Sequence, residues 1–240
     1  VVRSRGLGDE YKRQVLDRGS IVKVDNDLPL HEAALFGCAV ITGAGAVINT
    51  ARILPGDSVA IVGLGGVGLS GLLGAVLGGA ETIVAIDLSD EKLGLARQLG
   101  ATHTVNATDA NHVEQVRDIT DGGVDFAFDL AGTIKAMETA YNVTRYGGSV
   151  VTAGLSPSAA NFSFNQSNLV SQEKSIRGSY MGSCVPVRDI PRFISLYRQG
   201  RLPVDRLVDR TIGFDELNAS FDKLQSNATV RQVLTPHGTA

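Results

Sequence analysis

From Asp57 onward, short apolar runs alternate with longer stretches in which apolar positions recur every three or four residues. Short continuous apolar runs suit strands buried on both faces, and the three-to-four spacing suits helices. The pattern predicts strands at Val59–Val62, Thr82–Ile86, His103–Val105, Asp125–Phe128 and Ser149–Ala153. Between them it predicts helices near Gly66–Leu77, Glu91–Leu99, Asn111–Ile119 and Ile134–Thr144. Strand–helix alternation at this spacing implies a parallel sheet with right-handed crossovers.

Upstream, Ser20–Asp25 alternates and predicts another strand. Pro29–Thr50 reads as a helix interrupted by glycine, its start marked by a proline followed by good helix formers. After Gly154 the regularity fades. Ser156–Gln172, rich in Ser and Asn, predicts a loop, and Ser175–Tyr180 predicts a strand. Asp189–Arg198 and Asp215–Leu224 predict amphipathic helices.

One segment invites a different reading. Val59–Ala80 is uncharged and long enough to cross a bilayer. Eight of its residues are glycine, which suits one continuous helix poorly. A turn signal, Pro55-Gly56-Asp57, precedes it, and the run changes from β-branched to small residues at its middle. A buried strand, a glycine turn and a buried helix account for all of this, and no membrane partner is expected.

Composition narrows the function. With 240 residues and 43% hydrophobic content the chain can build a full core, which excludes disordered, collagen-like and disulfide-stapled classes. A net charge of -3 without a basic stripe excludes a nucleic-acid partner. The two cysteines, Cys38 and Cys184, cannot form a disulfide framework and point to a reducing, cytoplasmic setting. Val1–Gly6 carries no apolar signal core.

The chemistry concentrates at Gly63-Leu64-Gly65-Gly66-Val67-Gly68, a G-x-G-x-x-G that follows a predicted strand and opens a predicted helix. Gly63 allows the tight turn, Gly65 lets the backbone approach a pyrophosphate, and Gly68 lets helix pack on strand. The helix start offers free N–H groups and partial positive charge to phosphates. The strand Thr82–Ile86 ends in Asp87, nineteen residues beyond Gly68. A carboxylate there accepts hydrogen bonds from ribose hydroxyls and repels a 2′-phosphate, which favours NAD over NADP. Lys92 is close enough in sequence to reach the same ribose; read alone, it is a solvated helix lysine.

An ordered series of motifs extends this picture. It comprises Leu35-Phe-Gly-Cys38-Ala-Val-Ile-Thr42-Gly43, Gly63–Gly68, Asp87 with Lys92, Leu99-Gly100-Ala101-Thr102 and Gly122-Gly123-Val124-Asp125. It continues through Gly147-Gly148, Gly154, Arg177-Gly178-Ser-Tyr-Met-Gly182 and Val230-Arg231-Gln-Val-Leu234. In these the chain resembles the coenzyme-binding half of zinc-dependent alcohol dehydrogenases, in the medium-chain dehydrogenase/reductase superfamily. The resemblance runs from about Ser20 to Leu234.

The resemblance implies a Rossmann doubly wound parallel sheet with flanking remnants of a GroES-like catalytic domain. It divides the chain into a catalytic-domain remnant (1–39), an NAD-binding domain (40–180) and a returning C-terminal segment (181–240). It assigns Cys38 as the third protein ligand of a catalytic zinc and Thr42 as a residue against the nicotinamide, with Val67 beside the same ring. Asp87 and Lys92 match the adenosine-ribose contacts. Ala153, Leu155, Ser179 and Met181 match positions whose backbone orients the carboxamide, and Arg231 matches the arginine on the pyrophosphate. Read alone, Arg231 is a surface arginine and Cys38 a small buried apolar residue. The implied chemistry is hydride transfer between NAD and an alcohol or aldehyde held by zinc as a Lewis acid, in a homodimer or homotetramer.

The sequence also departs from the family. Its members carry roughly 100 or more further N-terminal residues, a domain-sized increment. That part supplies the other two zinc ligands, the proton-relay hydroxyl and a four-cysteine structural zinc lobe. Cys184 has no C-x-x-C partner, and His31, His103, His112 and His237 are not placed as substitutes. Two readings therefore stand: a partial zinc alcohol dehydrogenase, inactive as an isolated chain, or a non-catalytic NAD-binding module. A short-chain dehydrogenase is excluded, because no tyrosine is followed four residues later by lysine. Cys38 argues against a zinc-free quinone-reductase-like relative. The remaining pocket lining, Met181–Val187, does not choose between small alcohols, long-chain alcohols and a thiol–formaldehyde adduct.

Overall fold

The computed structural model describes residues 16–225 and 230–235; the Val1–Gly6 segment and His237 lie outside them. A long helix, α1 (Leu30–Ala51), precedes the alternating region. Then follow β1 (Ser58–Val62), α2 (Gly66–Gly78), β2 (Thr82–Asp87), α3 (Asp90–Gln98), β3 (His103–Asn106), α4 (His112–Ile119), β4 (Val124–Asp129), α5 (Ile134–Val143) and β5 (Thr144–Thr152). The chain continues through α6 (Gln166–Ser171), β6 (Ser175–Gly178), a one-turn segment Met181–Ser183 and α7 (Pro186–Arg198). It ends in β7 (Arg210–Ile212), α8 (Leu217–Gln225) and β8 (Gln232–Leu234).

Strands β1 to β6 form one parallel sheet in the order β3-β2-β1-β4-β5-β6, so the connection reverses direction between β1 and β4. This is the doubly wound α/β arrangement expected from the sequence. Both faces are covered, and the strand pleat divides the side chains between them. Val59 and Ile61 join one core with Ile83, Phe128, Val151, α1, α2 and α7. Ala60 and Val62 join the other with Val84, Val105, Ala127, α4 and α5. That alternation between two dry faces is why the strands read as unbroken apolar runs. The uncharged run 59–80 is strand, turn and helix within this sheet.

Several expectations need correction. Ser20–Asp25 forms no strand; it runs along α7, where Val22 and Val24 cover the core and no strand stands beside it among the described residues. Alternation alone cannot supply the neighbouring backbone that a strand must pair with. The glycines of residues 29–50 do not interrupt the helix. α1 is continuous, with widened i→i+5 turns at Phe36–Val40 and Ala46–Ala51. Thr144 opens β5 rather than ending α5, and the Ser/Asn-rich loop contains α6, capped by the Asn165 side chain on the Asn168 N–H. The helix predicted from Asp215 starts in earnest at Leu217. The parallel pair β7–β8 has no counterpart among the predicted elements, because three-residue strands carry no periodicity.

α1 is long and apolar enough to cross a membrane by length and composition, with a mean hydropathy of 1.6 over its most apolar 18 residues. Its apolar residues from Ala39 to Val47 are buried between α2 and α7. Glycine sets that contact. A Cβ on Gly43 would collide with the Val67 carbonyl oxygen and stand 2.6 Å from the Gly71 nitrogen, both backbone atoms of α2. A Cβ on Gly37, on the exposed face of the same helix, would meet nothing within 4 Å. Gly43→Ala is expected to cost about 1–3 kcal/mol by forcing the helices apart. Gly37→Ala is expected to gain about 0.5–1 kcal/mol through helix propensity. Urea midpoints of the two variants test this, and equal midpoints would contradict it.

Candidate functional site

The crevice lies where the strand order reverses. Val62, the last residue of β1, pairs with Ile86 on one side and with Asp129 on the other. The glycine loop leaves β1 between two carboxylates, Asp87 and Asp129, each at the end of an apolar strand. Gly63 has φ 89°, and its N–H donates to the Ile86 carbonyl at 2.8 Å. The Leu64 N–H donates to Asp87 Oδ2 at 2.6 Å, so the ribose candidate also fixes the phosphate candidate loop. Asp87 Oδ1 accepts from the Ser89 N–H at 3.0 Å. The Ser89 hydroxyl in turn caps α3 at Lys92.

A Cβ on Gly68 would collide with the Gly63 carbonyl oxygen, which brings the start of α2 directly against the end of β1. Gly65 faces open space. Over Gly66 lies the guanidinium of Arg231; a Cβ there would stand 2.7 Å from its Nε. Arg231 Nε is buried and has no hydrogen-bond partner among the described residues. A buried guanidinium donor with no partner among the described residues, beside the free N–H groups of a helix start, is an arrangement that suits an anion. The surface-arginine reading of Arg231 is thereby corrected, because β8 carries the residue back across the loop.

The other predicted positions gather along the same strand ends. Gly43 abuts the Val67 carbonyl, which brings Thr42 and Val67 into neighbouring positions, both half-buried. Gly132 and Gly154 touch backbone to backbone, joining the β4 and β5 exits. Ala153 packs on the core, whereas Leu155 is 84% exposed. The Ser179 N–H donates to the Thr152 carbonyl at 2.8 Å, and its buried hydroxyl meets Thr50 Oγ1 at 2.8 Å. Met181 packs on the core with φ 47°.

Two residues stand apart. Lys92 is only 7% exposed, which corrects the solvated reading. It lines a cleft of about 490 Å³ with Asp209, Arg210, Lys223 and Gln232, between α3 and the β7–β8 pair. Cys38 is exposed, which corrects the buried reading; it sits one turn before Thr42 on the outward side of α1. Among the described residues no group of three or more His, Cys, Asp or Glu is arranged to hold a metal ion. The described donor set therefore does not fit a catalytic zinc.

Asp129 is the site residue that sequence reasoning misses. Its signal is there, since it ends an apolar strand as Asp87 does. It is 2% exposed and accepts from the Ala131 and Gly132 N–H groups, each at 3.2 Å, and from the Thr152 hydroxyl at 2.9 Å. It ties the β4 exit to β5.

Comparison with known proteins decides the family. Residues 66–199, more than half of the chain, match the zinc-binding dehydrogenase family. The chain belongs to the zinc-binding dehydrogenase family. Among solved members, it is similar to benzyl alcohol dehydrogenase from Acinetobacter calcoaceticus, with 35% identity and a TM-score of 0.86 over 90% of this chain. It is equally similar to an alcohol dehydrogenase zinc-binding domain protein from Burkholderia ambifaria, with 34% identity over 90% and a TM-score of 0.86. The alcohol dehydrogenase of Aeropyrum pernix follows, with 32% identity over 90% and a TM-score of 0.77. The chain spans 59%, 58% and 61% of these three proteins, respectively.

The Asp129 carboxyl has a measurable signature. Burial raises its pKa above the ordinary 3.8, outweighing the Thr152, Gly132 and Ala131 hydrogen bonds that lower it. The protonated form is the one the fold tolerates better. Its contribution to stability is fully present below pH 3.8 and is lost as pH rises through the raised value. Asp129→Asn keeps the shape and cannot ionise, so it should gain stability relative to the wild type as pH rises toward neutrality. Denaturation midpoints measured from acid to neutral pH test this; a difference that does not change with pH would contradict it.

Proposed function

We propose that this chain is the NAD-holding part of an alcohol or aldehyde oxidoreductase of the zinc-containing medium-chain type. The observation that carries the reading is the buried Arg231 Nε over Gly66 at the start of α2, without a hydrogen-bond partner among the described residues. In this reading the pyrophosphate lies between Arg231 and the Gly65–Gly68 backbone, and Asp87, with Lys92 behind it, faces the adenosine ribose. Thr42 and Val67 flank the nicotinamide. The backbones of Ala153, Leu155, Ser179 and Met181 turn its carboxamide. Bound NAD supplies the hydride acceptor for alcohol oxidation or, reduced, the donor for aldehyde reduction. The chain's own residues hold and orient the ring so that the two reacting carbons meet in line.

The division at residues 40 and 180 into an NAD domain and catalytic-domain segments belongs to the same proposal, as does a cytoplasmic setting for its two free thiols. Cys38 is proposed as one zinc ligand of a longer protein whose other ligands come from outside the described residues. A second reading, an NAD-binding module without turnover, is favoured by the missing metal donor set among the described residues. Turnover of an alcohol or aldehyde by the longer protein that contains this chain would remove that second reading.

Calorimetric titration with NAD and NADP tests the site. Asp87→Ala should weaken NAD and relax discrimination against NADP, because the carboxylate that repels a 2′-phosphate is gone. Arg231→Ala should weaken NAD by about 1.5–3 kcal/mol, the range for a hydrogen bond to a charged group. Unchanged affinities in both variants would overturn the proposal. We further propose a homo-oligomer that pairs the exposed edge of β6 with that of a second copy. Sedimentation at high concentration should give a dimer or tetramer, and a strict monomer would refute it.

A further inference from the structure

The segment that follows β6 is held in an unfavourable shape. Met181, Gly182 and Ser183 have φ of 47°, 66° and 50°, three consecutive left-handed residues of which two carry side chains. Such residues persist only when their surroundings over-determine them. Here the surroundings are the end of α1. Gly182 fits against Gly45 so closely that a Cβ would collide with the Ile41 carbonyl oxygen. Thr50 Oγ1 meets both Ser179 Oγ and Ser183 Oγ at 2.8 Å.

At the centre of this contact is Asn49. Its Nδ2 donates to the Gly182 carbonyl at 3.4 Å and to Cys184 Sγ at 3.1 Å, while its Oδ1 accepts from Arg192 Nη2 at 2.9 Å. The Cys184 thiol donates to the Ile41 carbonyl at 3.4 Å. Burial and the Asp189 carboxylate push this thiol up to about 11, so it keeps that proton. One amide thus spans three elements: α1, the left-handed turn and α7. The site needs a side chain that donates on one side and accepts on the other, which an amide does and a carboxylate or an aliphatic chain does not.

We propose that Asn49 is a positioning residue for the nicotinamide end of the dinucleotide. It acts through the turn Met181–Ser183, whose backbone, in the reading above on which this inference rests, orients the carboxamide. Asn49 touches no part of the cofactor in this proposal. It fixes the direction in which the Met181 backbone faces the crevice, and the adenosine half, held by Asp87 and Arg231, is independent of it.

The experiment compares NADH with ADP-ribose, which shares the adenosine and pyrophosphate but lacks nicotinamide. Asn49→Ala should bind NADH about fivefold more weakly, the scale of one lost hydrogen bond, and bind ADP-ribose as the wild type does. Where Asn49→Ala does not fold, Asn49→Asp carries the test. It keeps the volume and the acceptor toward Arg192, loses the donor to Gly182 and Cys184, and should show the same NADH-selective loss. NADH affinity unchanged, or both ligands weakened equally, would overturn the positioning role while leaving the dinucleotide site standing. A wild-type chain that binds neither ligand would overturn the dinucleotide reading and this inference with it.

Discussion

Backbone approaches backbone at the start of α2, and the rest of the molecule is arranged around that contact. Gly68 lies against the Gly63 carbonyl and Gly43 against the Val67 carbonyl. The first brings a helix start to the end of a strand, and the second brings α1 onto that helix. Side chains at these positions would hold the elements a further atom's width apart. The free N–H groups of α2 would then be displaced from the crevice between β1 and β4, and Arg231 could not lie over Gly66.

Two aspartate side chains tie loop backbone to the crevice from either side of β1. Asp87 accepts the Leu64 N–H, and Asp129 accepts those of Ala131 and Gly132. Both satisfy loop backbone that has no strand beside it, a requirement at every strand end that stops inside a fold. Their environments differ. Asp129 is sealed in, so burial dominates its titration; Asp87 is half-buried. The same residue type at the same place on the two strands that flank β1 therefore sits in two different environments.

The zinc-binding dehydrogenase family places these features in a larger architecture, because the chain covers about three-fifths of its solved relatives. The exposed Cys38 and the half-buried Thr42 share the outward side of α1, whose opposite side is packed between α2 and α7. Asn49, near the end of α1, extends the same helix's influence to the turn after β6.

The sheet, its two-sided burial, the glycine loop and the acidic end of β2 are all legible in the sequence. They are written in local signals: apolar runs, helix spacing and glycine positions within one strand–turn–helix unit. The remaining features join residues distant in the chain, and only folding brings those together. Arg231 reaches Gly66 only because β8 pairs with β7 beside α3. Lys92 is buried by that same return. Ser20–Asp25 fails as a strand because pairing depends on a neighbour that alternation does not specify. The glycines of α1 read as breaks because their purpose, a backbone contact with α2, lies in another element. Asn49 is silent in the sequence for the same reason: an amide on a helix acquires meaning only from the carbonyl, thiol and guanidinium that folding brings around it.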